Sequence, residues 1–490
     1  MMAKITAVID IGSNSARMAI FQRTSRFGFH LVEEIKSRVR ISEESYESGG
    51  MLQGAPMDRA IKALKEFMAI ARLRGARKIF CVATSALRDA PNAGEFLARA
   101  RAEAGVSIKV IEGEKEAFYG AIATLNLLPY REGITIDIGG GSTECAVIKG
   151  GKIKELISLD IGTIRLKELF FDKKGSLKEA VAFVKKELEK IPENFRSERV
   201  FGIGGTIRAL SKAIMKSTSY PIDTIHGFEY PTLSHLETFT KIYSSEVLKL
   251  KQFGIKEDRF DTIRGGALIF TALLKLFGAK EVVTSGVGVR EGVFLSDLLR
   301  GHNFIFPVNF NPSVRSLIDR FCLNENRGKR IKKNALELFD ALLERHRIDE
   351  GYKYHLGIAA RLADIGTALS YYDHHHHGSY FLLHSLTYGF SHKDRAIIAL
   401  LVEYHNKKIP KDSAIAHVQT LMPSLLTLQW LSFILGLAEC LSLGNDAEGF
   451  AFGYKNGVLT VSSPHDLYLA KEEAKKLAKP APIAVIFEKS

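Results

Sequence analysis

Two short stretches of the chain repeat one another: Val8-Ile9-Asp10-Ile11-Gly12-Ser13-Asn14-Ser15, and Thr135-Ile136-Asp137-Ile138-Gly139-Gly140-Gly141-Ser142-Thr143-Glu144. In each, a β-branched run ends in Asp, Gly and small polar residues follow, and a second apolar run resumes at 18–21 or 145–148. Glycine lets backbone N–H groups come close to a phosphate, and Ser, Thr and Asn add donors around it. An Asp held at the strand end is a ligand type for Mg²⁺, directly or through water. One Gly-rich turn is ordinary in any β protein, where steric packing alone selects glycine. A matched pair instead predicts two half-domains that clamp a polyphosphate group across a cleft.

Between the two repeats lies Ile111-Glu112-Gly113-Glu114-Lys115-Glu116-Ala117, three carboxylates around a predicted helix start. Hydrolysis of a phosphoanhydride needs an oriented water and a carboxylate to take its proton, and Glu116 is the candidate. Glu112 and Glu114 are read as complements to the helix dipole. Glu144 is a candidate metal ligand or water-orienting group, weighed against a solvent-facing strand position. Arg88, in Ala83-Thr84-Ser85-Ala86-Leu87-Arg88, follows an apolar strand, and Arg17, Arg208 and Arg290 each flank a Gly-rich element. Guanidinium groups suit multidentate phosphate binding, and a surface ion pair is the competing role for each. Phe201-Gly202-Ile203-Gly204-Gly205-Thr206 and Thr284-Ser285-Gly286-Val287-Gly288-Val289-Arg290-Glu291-Gly292 lead into further helices. Helix N-termini of this kind bind anions. Tight strand-to-helix packing is the simpler account of either one alone.

The elements that must position these groups follow from periodicity. Residues 1–128 alternate strands and helices, with helical spacing at 57–73 and 93–104 and a short buried strand at 78–83. Residues 129–304 form a second α/β unit, from the strand at 134–138 through a helix at 207–215. Composition shifts near Phe306-Pro307, and 305–445 is mostly helical, rich in Leu, Ala and His. Residues 446–490 read as a small α/β appendage: an Asn456-Gly457 hairpin, a helix at 467–477 and a strand at 483–487.

A chain of 490 residues exceeds what one core serves, and 46% hydrophobic with 25% charged residues excludes a disordered protein. A formal charge of +13 favours a polyanionic partner, with a lysine-rich solubilising surface as the alternative. Arg327, Lys329, Arg330, Lys332 and Lys333 cluster at the start of a predicted helix, either as a solvated face or to steer phosphate. The N-terminus lacks a signal-peptide pattern. The apolar stretch 425–443 is interrupted by Gln429 and Glu439 and reads as a buried helix, so no membrane partner is expected. Scattered Cys81, Cys145, Cys322 and Cys440 fit reduced thiols in a cytoplasmic protein.

Together the motifs Asp10 to Ser15, Ala83 to Arg88, Gly113 to Ala117, Asp137 to Glu144, Gly204-Gly205-Thr206 and Arg290-Glu291-Gly292 resemble the exopolyphosphatase / guanosine pentaphosphate phosphohydrolase family of the actin-like ATPase-fold superfamily. The resemblance implies two actin-like (ribonuclease H-like) half-domains around a cleft, then a helical domain and the small appendage. It makes Glu116 the catalytic base and places Asp137 and Glu144 at a metal and water site, to which Asp10 is added from its matching place at a strand end. Gly12, Ser13, Asn14, Ser15, Gly139, Gly140, Gly141, Ser142 and Thr143 become phosphate-binding loops, joined by Gly204, Gly205, Thr206, Arg88 and Arg290. It further implies Mg²⁺, often K⁺, and a homodimer. The helical domain looks like the metal-phosphohydrolase fold named for adjacent His and Asp, but Arg361-Leu362-Ala363-Asp364 carries Ala363 in place of the metal-binding His. A second metal centre of that type is therefore not expected. The run His374, His375, His376 and His377, with His384 and His405, is read as a structural or weakly binding cluster.

The first expectation is Mg²⁺-assisted release of the terminal phosphate of inorganic polyphosphate. The alternative is the same chemistry on guanosine pentaphosphate. No specific nucleic-acid partner is expected. An actin-fold kinase or ATPase is disfavoured because a water-activating Glu116 wastes ATP. A sensor of guanosine tetraphosphate or polyphosphate is disfavoured by the intact acidic set.

Overall fold

The computed structural model describes residues 4–45, 48–172, 176–322, 324–443 and 449–489. They form two compact units, Met1–Phe310 and Asn311–Ser490.

The first unit is a structural duplication. Strands β1 (Ile5–Ile11), β2 (Ala16–Arg23), β3 (Phe29–Ser37), β4 (Lys78–Ala83) and β5 (Lys109–Val110) lie in the order β3-β2-β1-β4-β5. A second sheet holds β6 (Gly133–Ile138), β7 (Thr143–Lys149), β8 (Lys152–Leu159), β9 (Arg199–Ile203), β10 (Phe228–Pro231) and β11 (Glu281–Thr284), in the order β10-β11-β9-β6-β7-β8. The series β8-β7-β6-β9-β11 repeats the first sheet, with two antiparallel then two parallel pairings in each. Even the register shift in the outer pair recurs, at Ile20/Phe21 and at Val147/Ile148.

The central strands are buried on both faces: Ala7, Val8, Ile9 and Ile11 of β1 are fully inaccessible. Apolar residues on consecutive positions are what a strand covered by helices on both sides requires. Helices Gly54–Leu73 and Ala93–Ala104 supply Ile61, Leu64, Phe67 and Phe96 to the first core. Gly204–Ser217 and Ile263–Phe277 supply Ile207, Leu210, Phe270 and Leu273 to the second.

The last helix of each half crosses over. Helix Gly113–Leu127 packs on β7 and β8 of the second sheet, whereas Val289–Leu298 packs on β1 and β2 of the first, with Phe294 stacked on Phe21 at 4.5 Å. The two helices also pack on each other, so closely that a Cβ on Gly292 would lie 2.0 Å from the Tyr119 carbonyl oxygen. The halves are thus interlocked, and Glu116 rides on a helix whose neighbours belong to the other half.

In the second unit the helical core of Leu338, Phe339, Leu356, Phe390 and Leu431 continues into Leu459, Val461, Ala470 and Leu477. The C-terminal sheet, β12 (Ala451–Lys455), β13 (Val458–Ser463) and β14 (Ala484–Lys489), therefore packs into the same core as the helices. Asn456 and Gly457 both have positive φ, 52° and 80°, as a two-residue hairpin turn demands. Helix Leu425–Cys440 is buried, with Trp430 2% exposed, and no single described helix is long and apolar enough to cross a membrane. The four cysteines are free.

Candidate active site

The two Gly-rich loops are built alike. Gly12 N–H donates to the Ser15 carbonyl at 3.2 Å, and Gly139 N–H donates to the Ser142 carbonyl at 3.0 Å. Each loop closes a β-hairpin whose next-to-last pairs are Asp10 with Arg17 and Asp137 with Glu144. Residues opposite one another in an antiparallel ladder share a face. The first half therefore sets a carboxylate beside a guanidinium, and the second half sets a carboxylate beside a carboxylate. The loops meet, since a Cβ on Gly140 would fall 2.6 Å from Ser13 Cβ.

Around them a cleft is lined by Asp10, Gly12, Ser13, Asn14, Ser15, Glu116, Asp137, Gly139, Gly140, Gly204, Gly205, Thr206 and Arg290. Arg17 and Arg208 line it too. Gly204 opens its helix with φ +88°, and a side chain there would strike Asp137 Oδ1 at 2.6 Å. Gly141, Ser142, Thr143, Glu144 and Arg88 are not part of that wall. The Gly141 carbonyl accepts from Arg165, and the Thr143 hydroxyl donates to the Ile161 carbonyl at 2.6 Å, which makes it a brace for the loop. Arg88 donates to the Ile111 carbonyl at 3.1 Å and reaches Glu116 Oε2 and Ser142 Oγ at 3.5 Å each. It ties the base to the second loop. Glu112 and Glu114 are exposed, whereas Glu144 is 1% exposed and accepts from Ser158 Oγ at 3.0 Å.

Sequence reasoning missed two cations. Lys36 on β3 and Arg259 line the cleft. The Arg259 guanidinium lies over Gly205, 2.9 Å from where a Cβ would be. Lys36 stands opposite Arg17 in the β2/β3 register, a placement that sheet pairing reveals and local sequence does not.

Four buried carboxylates interact here, Asp10, Glu116 and Asp137 in the cleft wall and Glu144 outside it. Burial, then the charges of Glu144, Asp137 and Asp10, pushes Glu116 well above the usual carboxylate range, against the pull of Arg88. Burial moves Glu144 up to about 8, opposed by the Ser142 hydroxyl and reinforced by Asp137. Asp137 is raised to about 6 by burial, with Arg208 opposing. Asp10 is raised by burial against Arg290 and Arg17. Asp10 Oδ1 and Glu144 Oε2 are buried without a hydrogen-bond partner. On the cationic side, burial and then Arg17 and Arg290 bring Arg208 down to about 10. Glu34 relieves that crowding, 2.8 Å from Arg290 and 3.8 Å from Arg17. A cation among the acids and a polyanion among the guanidiniums would each discharge a repulsion already built into the fold.

The chain matches the Ppx/GppA phosphatase family over residues 19–301, and domain III of the Ppx/GppA phosphatases over residues 311–448. It belongs to the Ppx/GppA phosphatase family. It is 27% identical over 432 residues to a guanosine-5'-triphosphate,3'-diphosphate pyrophosphatase of Aeromonas hydrophila, covering 85% of this chain and 84% of the relative. A protein of the same name from Pseudoalteromonas translucida is 26% identical over 478 residues, 94% of this chain and 92% of that one. Among solved structures, an Aquifex aeolicus member of the family is similar at 31% identity and a TM-score of 0.52, covering 61% of this chain and 99% of that chain. An exopolyphosphatase from Cytophaga hutchinsonii shares the fold at a TM-score of 0.56 and 22% identity, covering 60% of this chain and 98% of that one. This Ppx/GppA chain is a phosphoanhydride hydrolase with the actin-like fold.

In the second unit, Asp364 beside Ala363 is bound by the Arg327 guanidinium, whose other nitrogen donates to Glu439 at 3.1 Å. Arg327, read as part of a basic cluster that is either a solvated face or a phosphate-steering one, is the partner of two carboxylates. Among the described residues, Asp364 is thereby engaged in an ion pair where an adjacent His would have shared a metal with it.

Proposed function

We propose that this Ppx/GppA hydrolase removes the terminal 5'-phosphate of guanosine pentaphosphate, leaving the tetraphosphate. The observation that carries the chemistry is Glu116, buried in the cleft wall between two facing phosphate loops and made basic by that burial first and by three neighbouring carboxylates second. The terminal phosphate would sit among the amides of Gly12 to Ser15 and of Gly139 and Gly140, with Arg17, Arg208 and Arg290 on its oxygens. Water attacks phosphorus as the bond to the bridging oxygen breaks, and the water's proton passes to Glu116. Arg88 holds Glu116 in place from behind.

The hard oxygen donors of Asp10, Asp137 and Glu144, two of them with an unpartnered buried oxygen, fit Mg²⁺. When bound, that ion would neutralise charge developing on the phosphate oxygens. K⁺ is proposed from the family resemblance alone and belongs in the assay.

The two full-length relatives favour the nucleotide over inorganic polyphosphate. Polyphosphate remains the second reading, favoured by five cations on one cleft, Arg17, Lys36, Arg208, Arg259 and Arg290, and by the net charge of +13. Phosphate release from guanosine pentaphosphate, long-chain polyphosphate and ATP, side by side with Mg²⁺ and K⁺, tests the proposal. A higher kcat/KM on the nucleotide, abolished by Glu116→Gln, is expected. A higher value on polyphosphate would reverse the order, and binding without release would make the protein a sensor.

A further inference from the structure

The histidine-rich helix of the second unit holds a different arrangement from the one its sequence suggests. Of the run at its start, only His374 joins a convergent set, with His405 and Glu439; their ligand atoms all lie within 4.8 Å of one another. These three come from separate segments: the first residue of helix His374–Ser385, the loop after helix His392–Glu403, and the end of Leu425–Cys440. His376 is turned away to Glu403, 3.4 Å off, and His384 lies exposed against Tyr380.

Each donor is held from behind in the way metal ligands are. His405 Nδ1 bonds the Val402 carbonyl, and His374 Nδ1 bonds the Tyr371 carbonyl at 3.0 Å. A carbonyl only accepts, so both Nδ1 atoms carry the proton and both Nε2 lone pairs are left to bind. Glu439 Oε1 is held by Arg327 at 3.1 Å, which directs Oε2 toward His405. His405 is 1% exposed, and its Nε2 lies 3.1 Å from that Oε2 with no hydrogen bond made by the nitrogen. Two lone-pair donors about 3.3 Å apart are what adjacent corners of a tetrahedron around Zn²⁺ require, with bonds of about 2.0 Å.

We propose that His374, His405 and Glu439 form a Zn²⁺ site, which uses neither of residues 363 and 364 as a ligand and is joined to Asp364 through the shared Arg327 guanidinium. Two imidazoles and one carboxylate select a borderline transition metal over Mg²⁺. The set stands at the wall of a cavity of about 600 Å³ that also presents Asn406 and Lys407, so the fourth position faces space for water or a small anion. The 4.8 Å limit on the separations leaves His374 within a side-chain adjustment of the third corner.

The test is Zn²⁺ titration of the full-length, chelator-stripped protein in excess Mg²⁺, which keeps the cleft carboxylates occupied, with thermal melting in parallel. One equivalent of tight Zn²⁺ and a rise in Tm are expected, along with a Co²⁺ visible spectrum showing tetrahedral nitrogen and oxygen ligation. His374→Ala should weaken binding by at least about tenfold, and His377→Ala should leave it unchanged. No stoichiometric equivalent, or equal weakening by both variants as a loose histidine run would give, overturns the site.

Discussion

Ser13 leaves no room for a side chain on Gly140: a Cβ there would sit 2.6 Å from Ser13 Cβ. The two phosphate loops, one from each half of a duplicated unit, are in contact at this point. Their spacing is set by the absence of a single carbon.

Gly140→Ala must therefore push the loops apart. Overpacking of this kind costs about 1–3 kcal/mol, and a displacement near 1 Å in a positioning group costs about 10² in rate. We expect kcat/KM to fall by roughly that factor while the fold survives with a lowered Tm. Wild-type kinetics in the variant would mean that loop spacing does not position substrate.

Glu116→Gln tests the base. Turnover should drop by roughly 10² to 10⁴ while substrate affinity persists. Because Glu116 must be ionised to accept a proton, and burial among carboxylates raises its pKa, wild-type kcat/KM should climb with pH beyond the ordinary carboxylate range. The pH–rate profile checks the sign: a profile flat above pH about 5 would remove Glu116 from the role.

Much of this site is legible in the sequence because it is local. Asp10 to Ser15 and Asp137 to Glu144 each fit within one hairpin, so strand, turn and carboxylate appear in consecutive residues. The half-domain order follows from the same repeats, and the Asn456-Gly457 turn from its own dipeptide between two apolar runs. What stayed hidden depends on pairing between distant segments. Lys36 reaches the cleft only through its register with Arg17, and Arg259 only through the fold over Gly205. The crossing of Gly113–Leu127 onto the opposite sheet is equally invisible, since a helix apolar on nearly every side does not say which sheet it covers. Thr143 looked like a phosphate donor from its neighbours, and its bond to Ile161 appears only once β7 is placed.

Asp137→Asn should raise the Mg²⁺ concentration needed for half-maximal activity. The substitution removes one negative donor from the acidic set while leaving the Asp10 and Glu144 carboxylates in place. Activity measured against Mg²⁺ after chelator treatment shows the shift. An unchanged titration would make Asp137 a structural residue that only raises its neighbours' pKa values.

Glu144 yields a stability prediction with a defined direction. Burial holds its pKa near 8, against an ordinary value of 4.5 for the unfolded chain. Between those values the folded protein keeps a proton that the unfolded chain has lost, so stability falls as pH rises across that window. Glu144→Gln removes the ionisation yet preserves an acceptor for Ser158. In metal-free buffer the variant should match wild type near pH 5 and exceed it in Tm by a growing margin toward pH 8. Mg²⁺ should narrow that margin by stabilising the wild-type carboxylates. Thermal melts across the pH range, with and without Mg²⁺, decide it: parallel curves would show that Glu144 ionises freely and does not belong to the strained acidic set from which Glu116 draws its basicity.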